Sequence, residues 1–187
     1  MKNEIISLIF KLFFFFILTL QLNASEQAWG LAQKGNKIIL IRHSLAPGGG
    51  DPAGFKIDDC KTQRNLNKKG INQSKKIGKL FKKNKVSIDQ VLSSQWCRCK
   101  DTAKHAFGEY KEFTALNSTF QSPFDKNEGK QVKELYNYVK KWNGNGKNLV
   151  LITHYSIITA VTNAVPSSGE IVIADKNFKV LGTIPTD

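Results

Sequence analysis

Lys37-Ile38-Ile39-Leu40-Ile41-Arg42-His43 is a short apolar run that ends on a cation and an imidazole. Branched aliphatics in succession, with no polar alternation, read as a strand covered on both faces, as in the interior of a parallel sheet. The pattern returns in Asn148-Leu149-Val150-Leu151-Ile152, followed by Thr153-His154, and more weakly in Asp89-Gln90-Val91-Leu92, followed by Ser93-Ser94. Helical patterns lie between these runs. From Asn67 onward, Ile71, Ser74, Ile77 and Phe81 share one face and lysines take the other. Residues 96–107 predict a second helix. Val132, Leu135, Tyr136, Val139 and Trp142 form the stripe of a third, stopped by Gly144 and Gly146. Alternating strands and helices predict an α/β fold, a three-layer sandwich whose mostly parallel central sheet carries helices on both faces. Ligands of such sheets bind beyond the carboxyl ends of the strands.

The rest of the chain fits one domain of this kind. It has 187 residues, 41% of them hydrophobic, which excludes a disordered tail, and its three cysteines are too few for a disulfide-built scaffold. Lys2 and Lys11 precede an apolar run from Leu12 to Leu22, broken only by Thr19 and Gln21, and then Asn23-Ala24. This is the pattern of a signal peptide over residues 1–24, cleaved near Ala24, which leaves a periplasmic or secreted domain over 25–187. The alternative is an uncleaved anchor lengthened by Ile5 to Phe10. No repeat, linker or low-complexity tract suggests a second domain.

A formal charge of +13 favours anionic neighbours. The expected partner is a small phosphorylated substrate, with at most weak electrostatic contact with an anionic membrane surface and no nucleic acid. Oligomeric state is not legible. Lysine fills almost every solvated position, and only Arg42, Arg64 and Arg98 break the habit among 28 basic residues. Arginine grips an oxyanion with a planar fork that an ammonium cannot imitate. Arg42, His43, Arg98 and His154 all stand at or just past strand ends, whereas His105 falls on a helix surface. Two imidazoles and two guanidiniums in one pocket suit phosphoryl transfer, in which peripheral oxygens must be held while a nucleophile attacks in line.

Ile38-Ile39-Leu40-Ile41-Arg42-His43-Ser44, Arg64-Asn65-Leu66-Asn67-Lys68-Lys69-Gly70 with Gln73, Ser93-Ser94 through Arg98 to Thr102-Ala103, and Leu149 to His154 resemble, in order and spacing, the signature segments of the histidine phosphatase superfamily, the phosphoglycerate-mutase-like fold. The resemblance implies that His43 attacks phosphorus and becomes a transient phosphohistidine. Arg42, Arg98 and His154 would bind the phosphoryl oxygens, with no metal and no cofactor. Arg64 would reach the phosphate or leaving group, or else form a helix-entry salt bridge. Three departures stand out. Ser44 replaces a usual glycine, Tyr155 gives the pocket an aromatic rim, and the acid that protonates the leaving group has no obvious counterpart. Asp125 is the first candidate for that acid, aimed by the Pro123-Phe124 turn. Glu128, at a helix start on the substrate side, is the second, and Asp58 and Asp59 follow.

On this scheme Cys60 meets Cys97 or Cys99, and in an oxidising compartment one bridge forms and one thiol remains. Three thiols without a matching histidine are a poor zinc site, and no phosphate-cradling loop surrounds any cysteine. Hydrolysis is the favoured reaction, because short connections leave little cap over the pocket. A mutase or transferase, and a non-catalytic module for anionic glycan or lipid, are the alternatives.

Overall fold

The structure, a computed structural model, describes residues 24–186, so the signal-peptide reading falls almost wholly outside it. Residues 24–33 are helical (α1). They are followed by β1 (Ile38–Arg42), α2 (Lys68–Lys83), β2 (Ile88–Ser93), α3 (Cys97–Phe107), β3 (Lys111–Glu112), α4 (Glu128–Lys141), β4 (Asn148–Thr153), α5 (Tyr155–Thr162), β5 (Ile171–Ala174) and β6 (Val180–Ile184). One six-stranded sheet has the order β3-β2-β4-β1-β5-β6. The first four strands in that order are parallel neighbours, and β5 and β6 add an antiparallel edge.

The unbroken apolar runs are covered on both faces, and the period of two decides which side chain goes where. Ile39, Ile41, Val150, Ile152, Ile171 and Ile173 point into a core with Trp29 of α1, Ile77 and Phe81 of α2, and Ala103 of α3. Ile38, Leu40, Leu149, Leu151 and Val172 point to the other side, against Leu135 and Val139 of α4 and Ile157 and Ile158 of α5. The register of β1 with β4 pairs Ile38 with Leu149 and Arg42 with Thr153. The residues following the two strands, His43 and His154, therefore emerge side by side at the carboxyl end of the sheet.

Asn67 caps α2 by accepting from the Gly70 amide at 2.9 Å. The helix then lies unusually close to its neighbours. A Cβ on Gly70 would stand 2.1 Å from the Leu45 carbonyl oxygen, and one on Gly78 would stand 2.1 Å from that of Ala106. Helix propensity alone makes Gly78→Ala stabilising by about 1 kcal/mol. The clash with α3 backbone reverses the sign, and a loss of about 1–3 kcal/mol is expected in urea denaturation of the purified protein. A neutral or stabilised variant would show that the two helices part easily.

Candidate active site

Arg42, His43, Arg64, Arg98, His154 and Tyr155 line one cleft of about 90 Å³ together with Gly48, Gly49, Gly50, Ser118 and Phe120. A larger groove of about 570 Å³ runs along α2 between Leu45 and Thr186, but it brings together no histidine or arginine. Chemistry rather than volume singles out the smaller one.

His43 extends β1 and is 2% exposed. Its Nδ1 lies 2.8 Å from the Ser44 carbonyl oxygen, and its Nε2 receives the Arg98 Nε–H at 3.2 Å. A guanidinium only donates, so the second contact requires a lone pair on Nε2 and leaves the proton on Nδ1, where the carbonyl accepts it. Burial and then the neighbouring Arg98 charge hold the His43 pKa well below its ordinary 6.5. The ring is neutral, with its lone pair on Nε2. Ser44, where the resembling signature has glycine, is buried and accepts a 2.8 Å hydrogen bond from the Ser74 hydroxyl.

His154 follows β4. Its Nε2 stands 3.0 Å from Ser94 Oγ and 3.4 Å from Cys99 Sγ, while Nδ1 faces Arg98 Nη2 at 3.5 Å. Burial, followed by Arg98, likewise keeps it neutral. The same burial pushes the Cys99 thiol up to about 12, so it remains protonated. The two imidazoles meet edge to face, 5.4 Å apart.

Arg98 joins these parts. On its other side Nη1 donates to both oxygens of Asp51, at 2.8 and 3.1 Å, and the ion pair is almost fully buried. Asp51 also accepts from the Trp96 indole N–H at 2.9 Å and the Arg64 amide at 3.0 Å. Burial alone would raise the Asp51 pKa, but the Arg98, Arg64 and Trp96 donors outweigh it and hold the carboxyl low. Sequence reasoning missed this residue, because an aspartate between Gly50 and Pro52 reads as turn chemistry.

Arg42 donates through Nη1 to the Pro166 carbonyl at 2.9 Å and packs over the Tyr155 ring at 5.4 Å, while its Nε is buried with no hydrogen-bond partner. A guanidinium with an unpaired nitrogen, on a residue that lines a cleft, suits an oxyanion ligand. Arg64 is not the helix-entry salt bridge that was the alternative reading. Its guanidinium donates to the carbonyls of Gly50, at 2.7 Å, and Ala46, which pins the glycine loop at the cleft wall.

The carboxylates expected to supply the acid do not reach the cleft. Phe124 packs against Phe55 and Trp96, with ring centroids 5.6 and 5.1 Å apart, and this anchor turns Asp125 outward into a solvent-exposed turn. Glu128 opens α4 and accepts from Thr119 Oγ1 at 3.0 Å. Asp59 caps the single turn Cys60–Thr62, and Asp58 is exposed beside it. None of the four is among the lining residues. Cys60 pairs with Cys97 and leaves Cys99 as the buried thiol. This bridge fastens the loop after β1 to the first residue of α3, next to Arg98.

The sequence model of the histidine phosphatase superfamily (branch 1) matches residues 38–148, more than half of the chain. No curated protein sequence matches. Among solved structures, the protein histidine phosphatase SixA complexed with tungstate shares 15% identity at a TM-score of 0.54, over 79% of this chain and 96% of that one. A phosphoglycerate mutase from Thermus thermophilus shares 14% identity at a TM-score of 0.54, over 81% and 99%. At these identities the likeness is one of fold.

Two outcomes follow from the buried charges. Asp51→Asn leaves Arg98 uncompensated and is expected to cost roughly 3 kcal/mol in chemical denaturation; a loss under about 0.5 kcal/mol would mean that water reaches the pair. Both imidazoles stay neutral below the unfolded-state value of about 6.5, so the unfolded chain binds more protons and stability falls as pH drops below it. The loss is up to about 1.4 kcal/mol per histidine per pH unit. Level stability in urea titrations between pH 7 and 5.5 would contradict neutral rings.

Proposed function

The chain belongs to the histidine phosphatase superfamily, and from that membership we propose that it is a metal-independent phosphomonoesterase that works through a phosphohistidine on His43. The observation that carries the reading is the fixed tautomer of His43, whose Nε2 keeps its lone pair, held by the Arg98 Nε–H, in a cleft that Arg42 and Arg64 also line. In the first step Nε2 forms a bond to phosphorus as the ester oxygen departs with its electron pair. The Nδ1–H bond to the Ser44 carbonyl then stabilises the cationic phosphoimidazole. Arg98 Nε–H, released from Nε2, is free to join Arg42 on the phosphoryl oxygens. In the second step water attacks phosphorus, the P–N bond breaks with its electron pair returning to Nε2, the water's proton passes to solvent, and phosphate leaves. Three guanidiniums around the reacting atoms supply the charge stabilisation a cation would otherwise provide, and they repel a divalent ion. Among the described residues, no group of three or more His, Cys, Asp or Glu side chains is placed to hold a metal.

We place the substrate in the cell envelope. The basic and apolar start of the sequence supports this, as does the Cys60–Cys97 bridge, which suits an oxidising compartment.

None of the four candidate carboxylates lines the cleft, and Asp51 is held ionised on Arg98, so the leaving group departs without a positioned acid, whose contribution is roughly 10²–10⁴-fold. Turnover of para-nitrophenyl phosphate is therefore expected to exceed that of glycerol phosphate by about that factor, to persist in EDTA, and to vanish in His43→Ala along with an acid-labile phosphoenzyme. Comparable rates for the two esters, or activity lost to EDTA and regained with a divalent ion, would refute the mechanism.

A further inference from the structure

Phosphoryl chemistry leaves the outer wall of the cleft unexplained. Phe120 is 50% exposed, although it stands at the mouth of a site built from buried groups. Its ring meets that of Tyr155 at 5.6 Å and 62°, and Tyr155 is backed by the Arg42 guanidinium. Two aromatic side chains therefore form one wall, held at its base by a phosphate-binding residue. The Gly48-Gly49-Gly50 backbone completes the lining; a Cβ on Gly50 would stand 3.8 Å from the Phe120 ring, and one on Gly49 would meet nothing within 4 Å, so the absence of side chains here leaves room beside the ring. A cleft of about 90 Å³ takes a phosphoryl group and little more, so whatever carries the phosphate lies in this mouth, against the rings.

We propose that the mouth binds an aromatic ring bearing the phosphate, so that the substrate is a phosphorylated phenol whose ring packs on Phe120 and Tyr155. The inference rests on the phosphomonoesterase reading above and narrows its substrate class. Two independent features agree on it. The wall supplies ring faces and edges at the point where the leaving group must sit. The cleft also lacks an acid, and a phenolate departs with far less protonic help than an alkoxide.

The test separates ring recognition from leaving-group acidity. Phenyl phosphate is compared with hexafluoroisopropyl phosphate, an ester of a non-aromatic alcohol about as acidic as phenol. For the wild-type protein, kcat/KM is expected to favour phenyl phosphate by roughly tenfold, the scale of an aromatic contact. Phe120→Leu keeps an apolar side chain but removes the ring, and it should bring that ratio close to one; Phe120→Tyr should restore it. Inhibition constants of phenylphosphonate and methylphosphonate should show the same preference and the same loss, which reads ring binding without turnover. A phosphotyrosine peptide and free phosphotyrosine, assayed together, tell a protein-borne ring from a small one, and both should outpace phosphoserine counterparts. Equal turnover of the phenyl and fluoroalkyl esters, or a preference that survives Phe120→Leu, overturns the aromatic site while leaving the phosphatase reading intact. Turnover of neither ester overturns both.

Discussion

Arg98 is 2% exposed, its guanidinium set between the Asp51 carboxylate and two imidazoles. A charge this far from water is tolerable only while each of those contacts is kept. The requirement works in both directions. Asp51 holds the guanidinium in place, the guanidinium fixes which nitrogen of His43 carries the lone pair, and its field helps keep both rings neutral. Three separate segments, the loop after β1, the start of α3 and the end of β4, are thus bound to one planar group. The sheet brings the histidines near each other, and burial together with Arg98 sets their chemical states.

Much of the fold could be read directly. Runs such as Ile38–Ile41 and Leu149–Ile152 have no polar alternation because both faces are covered, and their length and flanks mark them as strands. The lysine-striped helix from Asn67 was equally plain, as were the arginines and histidines at strand ends, since the chain otherwise uses lysine. Other parts were not legible. Tyr155-Ser156-Ile157-Ile158-Thr159-Ala160-Val161-Thr162 is rich in β-branched residues, which disfavour helix, and it is helical because Ile157, Ile158 and Val161 find the second core. Strands β5 and β6 are short, and their pairing depends on partners distant in sequence. In the site, Asp51 was invisible because its partner is 47 positions away. The Pro-Phe turn points to Asp125 in the sequence, whereas Phe124 is the residue that turns inward. Which of two neighbouring side chains turns toward a core depends on tertiary packing, which local sequence does not encode.

The loop between His43 and Arg64 has little regular structure beyond one turn, yet its backbone is held at many points. Arg64 donates to two of its carbonyls, Gln121 Oε1 accepts from the Asp51 amide at 2.8 Å, and Gln63 both donates to Lys56 and Ile57 and accepts from the Cys97 amide. The Cys60–Cys97 bridge closes a loop across 37 positions, for which chain-entropy arguments give a stabilisation of about 4 kcal/mol. A segment poor in core residues becomes a rigid wall because side chains, rather than a backbone ladder, satisfy its polar groups.

The same cluster also fixes how much charge a bound molecule must carry. Three guanidiniums stand against a single carboxylate and the two imidazoles are neutral, so the cleft holds two uncompensated positive charges in a half-buried space. A phosphomonoester is a dianion above about pH 6 and brings the enclosed volume to electroneutrality. A phosphodiester or a sulfate ester has one charge and leaves one guanidinium unbalanced in a medium where that is costly. On the phosphomonoesterase reading, substrate valence is selected before any contact with the rest of the molecule, and inorganic phosphate, in part a dianion near neutrality, is expected to compete through the same balance.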